Sequence, residues 1–238
     1  LNVGFCGIYP MRPHFEHLEF LAQLVEKTGG TVFFLSCDSS PHACHVKVRR
    51  NDFSRRLCVK CFLGGAHSYR RSNIQSISAK RSDIDLSELD ADRELVTSAA
   101  ALKRIESQGE LNEPDLIACR QALRINFERA FHSAVNWISE NDLDFVVCFN
   151  GRIDMTRAVT RACEATATPF ITCERTWFGD GLRLIPNANC LSIDQLSKMV
   201  AAFDESPLLH DQAVLAGKLL ALRFLRQNYL EWRLYNPD

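Results

Sequence analysis

The sequence has no long hydrophobic run. None of its apolar stretches approaches the roughly 18 residues that cross a bilayer, so no transmembrane helix is expected. Nor does either sign of charge dominate. Against 29 Asp and Glu stand 28 Lys and Arg, a formal net charge of −1. That balance argues against a dedicated nucleic-acid binder. The first residues, Leu1-Asn2-Val3-Gly4-Phe5-Cys6, lack the basic n-region and cleavage pattern of a secretory signal. The expected location is therefore the cytoplasm. No glycine-rich phosphate loop follows the first strand pattern, because Gly4 and Gly7 fall inside it. A G-x-S-x-G elbow and a P-loop are missing too, which sets aside dehydrogenase, serine-hydrolase and P-loop nucleotide chemistry. There is no internal repeat and no low-complexity linker. The chain also has no initiator Met, and it stops at Leu234-Tyr235-Asn236-Pro237-Asp238 directly after a helical pattern. A fragment is the expectation.

What is present describes a globular α/β protein: 46% hydrophobic and 24% charged over 238 residues. Residues 2–8 and 31–36 are short apolar runs with the look of buried parallel strands. Between them Phe15, Leu18, Leu21, Ala22 and Val25 mark one face of a helix over 14–27, stopped by Gly29-Gly30. A second such unit combines a strand at 144–149, a helix at 154–167 and a strand at 169–173. A helix is predicted over 85–107, and another opens at Pro114 with Leu116, Leu123, Phe127, Ala130, Phe131, Ala134 and Ile138 on one face. A brief strand at 182–185 and helices at 192–204 and 207–235 follow. Within 38–82, periodicity is poor and only Leu57–Leu63 suggests a strand. The expected fold is one Rossmann-like α/β domain over 1–238, a parallel sheet with helices on both faces. A cysteine-rich insertion occupies about 37–82 and C-terminal helices about 192–235.

Ligands of open parallel sheets bind outside the carboxyl ends of the strands. Here those ends lead to Tyr9-Pro10-Met11-Arg12-Pro13-His14, Cys37-Asp38-Ser39-Ser40, Asn150-Gly151-Arg152 and Glu174-Arg175. Any one such loop is explained by solvation or capping; their coincidence on one edge suggests a site. Asp38, His14 and Glu174 are the candidate bases for proton transfer. Arg12, Asn150, Gly151, Arg152 and Arg175 are the candidate ligand-binding residues. A helix beginning just after Arg152 would add its free N–H groups to an anion site. Arg152 either forks onto a phosphate or carboxylate, or pairs with Glu174.

Ten cysteines are many, and Cys37, Cys44, Cys58 and Cys61 lie together in C-x6-C-x13-C-x2-C spacing. The closing two-residue gap lets two thiolates share a tetrahedral zinc, with His42, His45 and His67 as further ligands nearby. Structural zinc, reduced thiols and disulfides all remain open. The same segment carries Lys47, Arg49, Arg50, Arg55, Arg56, Lys60, Arg70 and Arg71. With only Phe53 and Phe62 as interleaved aromatics, a solvated face or contact with an acidic glycan or lipid phosphate is expected in preference to nucleic acid.

Phe149-Asn150-Gly151-Arg152, the Ala/Cys-containing helix after it, a Pro-led strand and Glu174-Arg175 resemble the bacterial glycosyltransferases of surface-carbohydrate and capsular-polysaccharide biosynthesis. Residues 37–44 and Cys58-Val59-Lys60-Cys61 resemble the cysteine-bearing first half of those enzymes. The resemblance covers most of 1–187 and implies a two-domain GT-B architecture. Its first domain would hold a glycan or lipid-linked acceptor, with peripheral membrane contact. A second domain, for which this chain has no room, would hold the sugar nucleotide, so independent activity is not expected. Residues 176–181 depart from the family pattern. The rival reading, from another class, is a non-catalytic, zinc-stapled module binding an anionic or nucleic-acid partner.

Overall fold

Side chains along the first strand alternate, and that alternation builds the molecule. Val3 and Phe5 turn to one face, where Phe15, Leu18 and Ala22 of the first helix cover them. Gly4 and Cys6 turn to the other, beneath Trp137 and a larger helical layer. Val147 and Phe149 repeat the first pattern and Val146 and Cys148 the second. Both faces of the sheet are thus buried, which is why its strands read as continuous apolar runs.

The computed structural model describes residues 1–10, 12–64, 73–87, 89–103, 114–176, 181–204, 206–225 and 227. Met11, His67, Arg70, Arg71, residues 177–180 and the distal parts of the helices predicted at 85–107 and 207–235 lie outside them. The elements are β1 (Asn2–Cys6), α1 (His14–Lys27), β2 (Thr31–Ser36), α2 (His45–Arg50), α3 (Arg55–Gly64), β3 (Ile74–Ser76) and α4 (Ala91–Lys103). After these come α5 (Pro114–Glu140), β4 (Phe145–Phe149), α6 (Asp154–Ala165), β5 (Phe170–Arg175), β6 (Leu182–Pro186), α7 (Ile193–Ala201) and α8 (His210–Phe224). The sheet order is β3-β2-β1-β4-β5-β6. The four strands expected to be parallel are parallel, in the register Val3 to Val32 and Phe145, and Val146 to Phe170. This is an α/β Rossmann-like fold. Strand order reverses between β1 and β4, the switch at which such sheets open a crevice.

Several local expectations need correction. Leu57–Leu63 is helical within α3, because Leu57 is buried and Cys58 and Cys61 half-buried while Val59, Phe62 and Leu63 are exposed. The helix predicted from 85 begins at Ala91. Asp85 is held in a turn by Ser87, and the Asp90 carboxylate accepts from Arg93 N at 3.1 Å to cap the start. β6 pairs antiparallel with β5. Segment 37–82 holds α2 and α3, then supplies β3 to the sheet edge beside β2. α7 and α8 bury none of their residues.

Candidate functional site

The turn that ends β4 is built from two consecutive left-handed residues, Asn150 (φ 65°) and Gly151 (φ 70°). A Cβ on Gly151 would stand 2.5 Å from Thr172 Cγ2, so the turn presses directly onto β5. Asn150 uses both ends of its amide there. Its Nδ2 donates to Glu174 Oε2 at 2.9 Å, and its Oδ1 accepts from Arg152 N at 3.2 Å. Glu174 Oε1 accepts in addition from the Arg175 backbone N at 3.1 Å. Burial raises the Glu174 carboxyl above its ordinary range, while these hydrogen bonds and the charges of Arg152 and Arg175 pull it partly back. A carboxylate poised upward in this way suits a general base.

His14, the first residue of α1, meets this pair from the side. Its ring stacks on Phe149 with centroids 4.0 Å apart. Its Nδ1 lies 3.6 Å from Glu174 Oε1, too far for a hydrogen bond, and has no hydrogen-bond partner among the described residues. Burial, assisted by His17 and Arg175, lowers its pKa to about 4. His14 and Glu174 are therefore a neutral imidazole beside a carboxyl group and not an ion pair near neutral pH.

A cavity of about 560 Å3 opens over these groups, lined by His14, Phe149, Asn150, Arg152, Glu174 and, from α2, by His45, Arg49 and Arg50. Its volume is that of a pocket for a small organic ligand. Three guanidinium groups face one carboxyl group, and α6 begins at its floor. Arg152 Nε is buried without a hydrogen-bond partner among the described residues. An arginine so placed is prepared for an oxyanion, which would take the Nε–H that no group among the described residues fills. The opposite wall is held in place by Asp154. This fully buried carboxylate, first in α6, accepts from the Tyr9 hydroxyl and, at 2.9 Å, from the backbone N of His45. His45 Nδ1 lies 3.1 Å from Ser98 Oγ, and burial with Arg49 and Arg152 nearby lowers the ring to about 4.

The other expected site residues stand elsewhere. Arg12 is exposed and pairs with Glu16 at 3.3 Å. Asp38 follows β2 as expected, but Ser40 occupies one of its oxygens and Arg129, at 3.3 Å, the other. Arg175 contributes its backbone N–H and its charge. Cys37, Cys44, Cys58 and Cys61 line one small cavity of about 40 Å3, separate from the crevice, with Tyr9, Leu57, Phe62 and Met155. They do not converge as ligands: among the described residues, no three His, Cys, Asp or Glu stand together as a metal site. None of the ten cysteines is in a disulfide. Burial pushes Cys37 up to about 12 and both Cys44 and Cys61 to about 11, so these thiols are protonated near neutral pH.

His45, Arg49 and Arg50 carried a signal in the sequence, but one that pointed to zinc or a surface patch. Only α2 shows that they turn toward Arg152. Asp154 carried none, since an acid in the first turn of a helix is ordinary. Neither the protein-family models nor the curated proteins compared with this chain give a match, so the reading of the crevice rests on its own geometry.

Proposed function

We propose that the chain is the acceptor-side domain of a GT-B glycosyltransferase of surface-polysaccharide biosynthesis, with the crevice at the carboxyl edge as its acceptor site. The observation that carries this reading is the meeting of a raised, buried Glu174 with the Arg152 guanidinium in one cavity. An acceptor bearing phosphate or carboxylate is oriented by Arg152, Arg49 and Arg50. Glu174 takes the proton of its attacking hydroxyl, and His14, neutral and stacked on Phe149, closes the side of the site. The hydroxyl oxygen then forms the glycosidic bond while the nucleoside diphosphate departs from the sugar held on a second domain.

The test is calorimetric titration with a sugar phosphate. Arg152→Ala should weaken binding by roughly 1.5–3 kcal/mol, the worth of a charged hydrogen bond, and leave thermal melting unchanged. Unaltered affinity in that variant would end the proposal. The second reading, a zinc-stapled binding module, is motivated by the four cysteines around one cavity. It requires their thiols to lose protons and close on a common centre, and so it ranks below the first.

A further inference from the structure

We infer that the ligand of the crevice carries two phosphate groups, the second seated in a neighbouring cavity that shares Arg152 with it. This second cavity measures about 360 Å3 and lies between α4, α6 and the segment after β6. Arg93 and Thr97 line it from α4, Arg157 from α6, and Asn189 from the segment after β6. Arg152 lines both cavities. The ridge between them is the turn that ends β4. Asn150 spends its amide on Glu174 in the crevice, while its backbone carbonyl accepts from Cys190 N at 3.0 Å. Asn189 Cα stands 3.6 Å from the place of a Cβ on Gly151. The segment after β6 is thus fastened to the same turn that holds the catalytic carboxyl group, and Arg152 comes next in the chain.

The charges of the second cavity favour an anion. Glu94 is the one acid among its lining residues, and that acid is already taken. Arg157 Nε lies 2.5 Å from its Oε2 and Arg161 Nε 3.3 Å from its Oε1. Both arginines also pair with Glu164, so these four groups balance. The surplus is Arg152 and Arg93, which is exposed at the rim. Asn189 Oδ1 accepts from Leu191 N at 2.9 Å, so its amide nitrogen is the end that can donate, beside the Thr97 hydroxyl. Cations in excess, with amide and hydroxyl donors around them, suit a phosphate. A guanidinium has two donor edges, so Arg152 can serve an anion on each side. When both anions belong to one molecule, the second binds without a further loss of translational freedom. Inorganic diphosphate, whose phosphorus atoms share an oxygen, is too short to reach round a guanidinium. Two phosphates on one carbon skeleton are not. The inference rests on the reading of the crevice as an anionic acceptor site and narrows it to a bisphosphorylated acceptor.

Calorimetric titration of the full chain with fructose 1,6-bisphosphate and, separately, with fructose 6-phosphate tests it. The bisphosphate is expected to bind about tenfold tighter or better, the worth of charged hydrogen bonds to its second phosphate. R93Q changes an exposed helix position and should fold normally. It should remove most of that advantage and leave fructose 6-phosphate binding as it was. T97E, which sets a carboxylate in the second cavity, should do the same. R49Q/R50Q should weaken both probes, and R56Q, which lines neither cavity, should weaken neither. Equal affinity of the parent for the two probes overturns the inference and leaves the crevice reading standing. So does a bisphosphate advantage that survives both R93Q and T97E, or one that R56Q reduces as much as R93Q, which would be unspecific attraction. Inorganic diphosphate binding as tightly as the bisphosphate would place both phosphates in one cavity and also overturn it. Binding of neither sugar phosphate ends the crevice reading together with the inference.

Discussion

Gly4 is a position where β1 has no freedom. A Cβ there would lie 2.5 Å from the Trp137 ring and 2.7 Å from Leu143 Cδ1. Both neighbours are buried, and Trp137 is fully so. Gly4→Ala should therefore cost about 1–3 kcal/mol, the usual penalty of overpacking, read as a lower urea midpoint with unchanged slope. His14 and His45 carry a pH signature. Burial holds both near 4, against an ordinary 6.5. Between those values the unfolded chain takes up protons that the folded chain refuses. Their share of stability is complete above pH 6.5 and is lost as pH falls toward 4. Asp154 and Glu174 act in the opposite sense. Burial raises both, so their share is present in acid and lost as pH rises through the raised values, which softens the acid loss. The melting temperature should drop less on acidification in His14→Gln/His45→Gln than in the parent. An equal drop in both would assign the acid sensitivity to other groups.

At the scale of elements, Asp154 pins the start of α2 to α6. Asp154→Asn keeps the shape but removes the charge that accepts from Tyr9 and from His45 N, and turns an amide N–H toward donors. A loss of about 1–3 kcal/mol is expected. Because the pin positions Arg49 and Arg50, sugar-phosphate affinity should fall too; intact affinity would mean that the two arginines are placed by something else. α3 gives the cysteine prediction. With Cys37, Cys44 and Cys61 protonated and the four thiols not convergent, purified protein should hold well under one zinc per chain, and a chelator should not move its melting curve. About one equivalent by elemental analysis, lost in Cys58→Ser/Cys61→Ser, would restore the stapled module. These elements were poorly legible in the sequence for a physical reason. α2 has six residues and β3 three, too few for a period to repeat. In 57–63 the inward and outward apolar groups are equally hydrophobic, so the run resembled a strand. The long α5 and the doubly buried strands, where many residues report the same face, were plain.

For the molecule as a whole, the sheet and its carboxyl edge could be read from the chain because burial on both faces forces apolar runs to alternate with helices. Which polar groups at that edge meet could not. Loop closure decided that Asn150 takes Glu174, that Arg129 takes Asp38, and that a helix from the cysteine-rich segment supplies the second cationic wall. The position of Asp154 has one more consequence. Tyr9, on one of its oxygens, lines the cysteine cavity; His45, on the other, lines the crevice. The two cavities thus share a carboxylate that water does not reach. Any occupant of one that draws Tyr9 away alters the affinity of the other by some factor, and reciprocity requires that same factor in the reverse direction. Loading either cavity alone would then be a measurement of both.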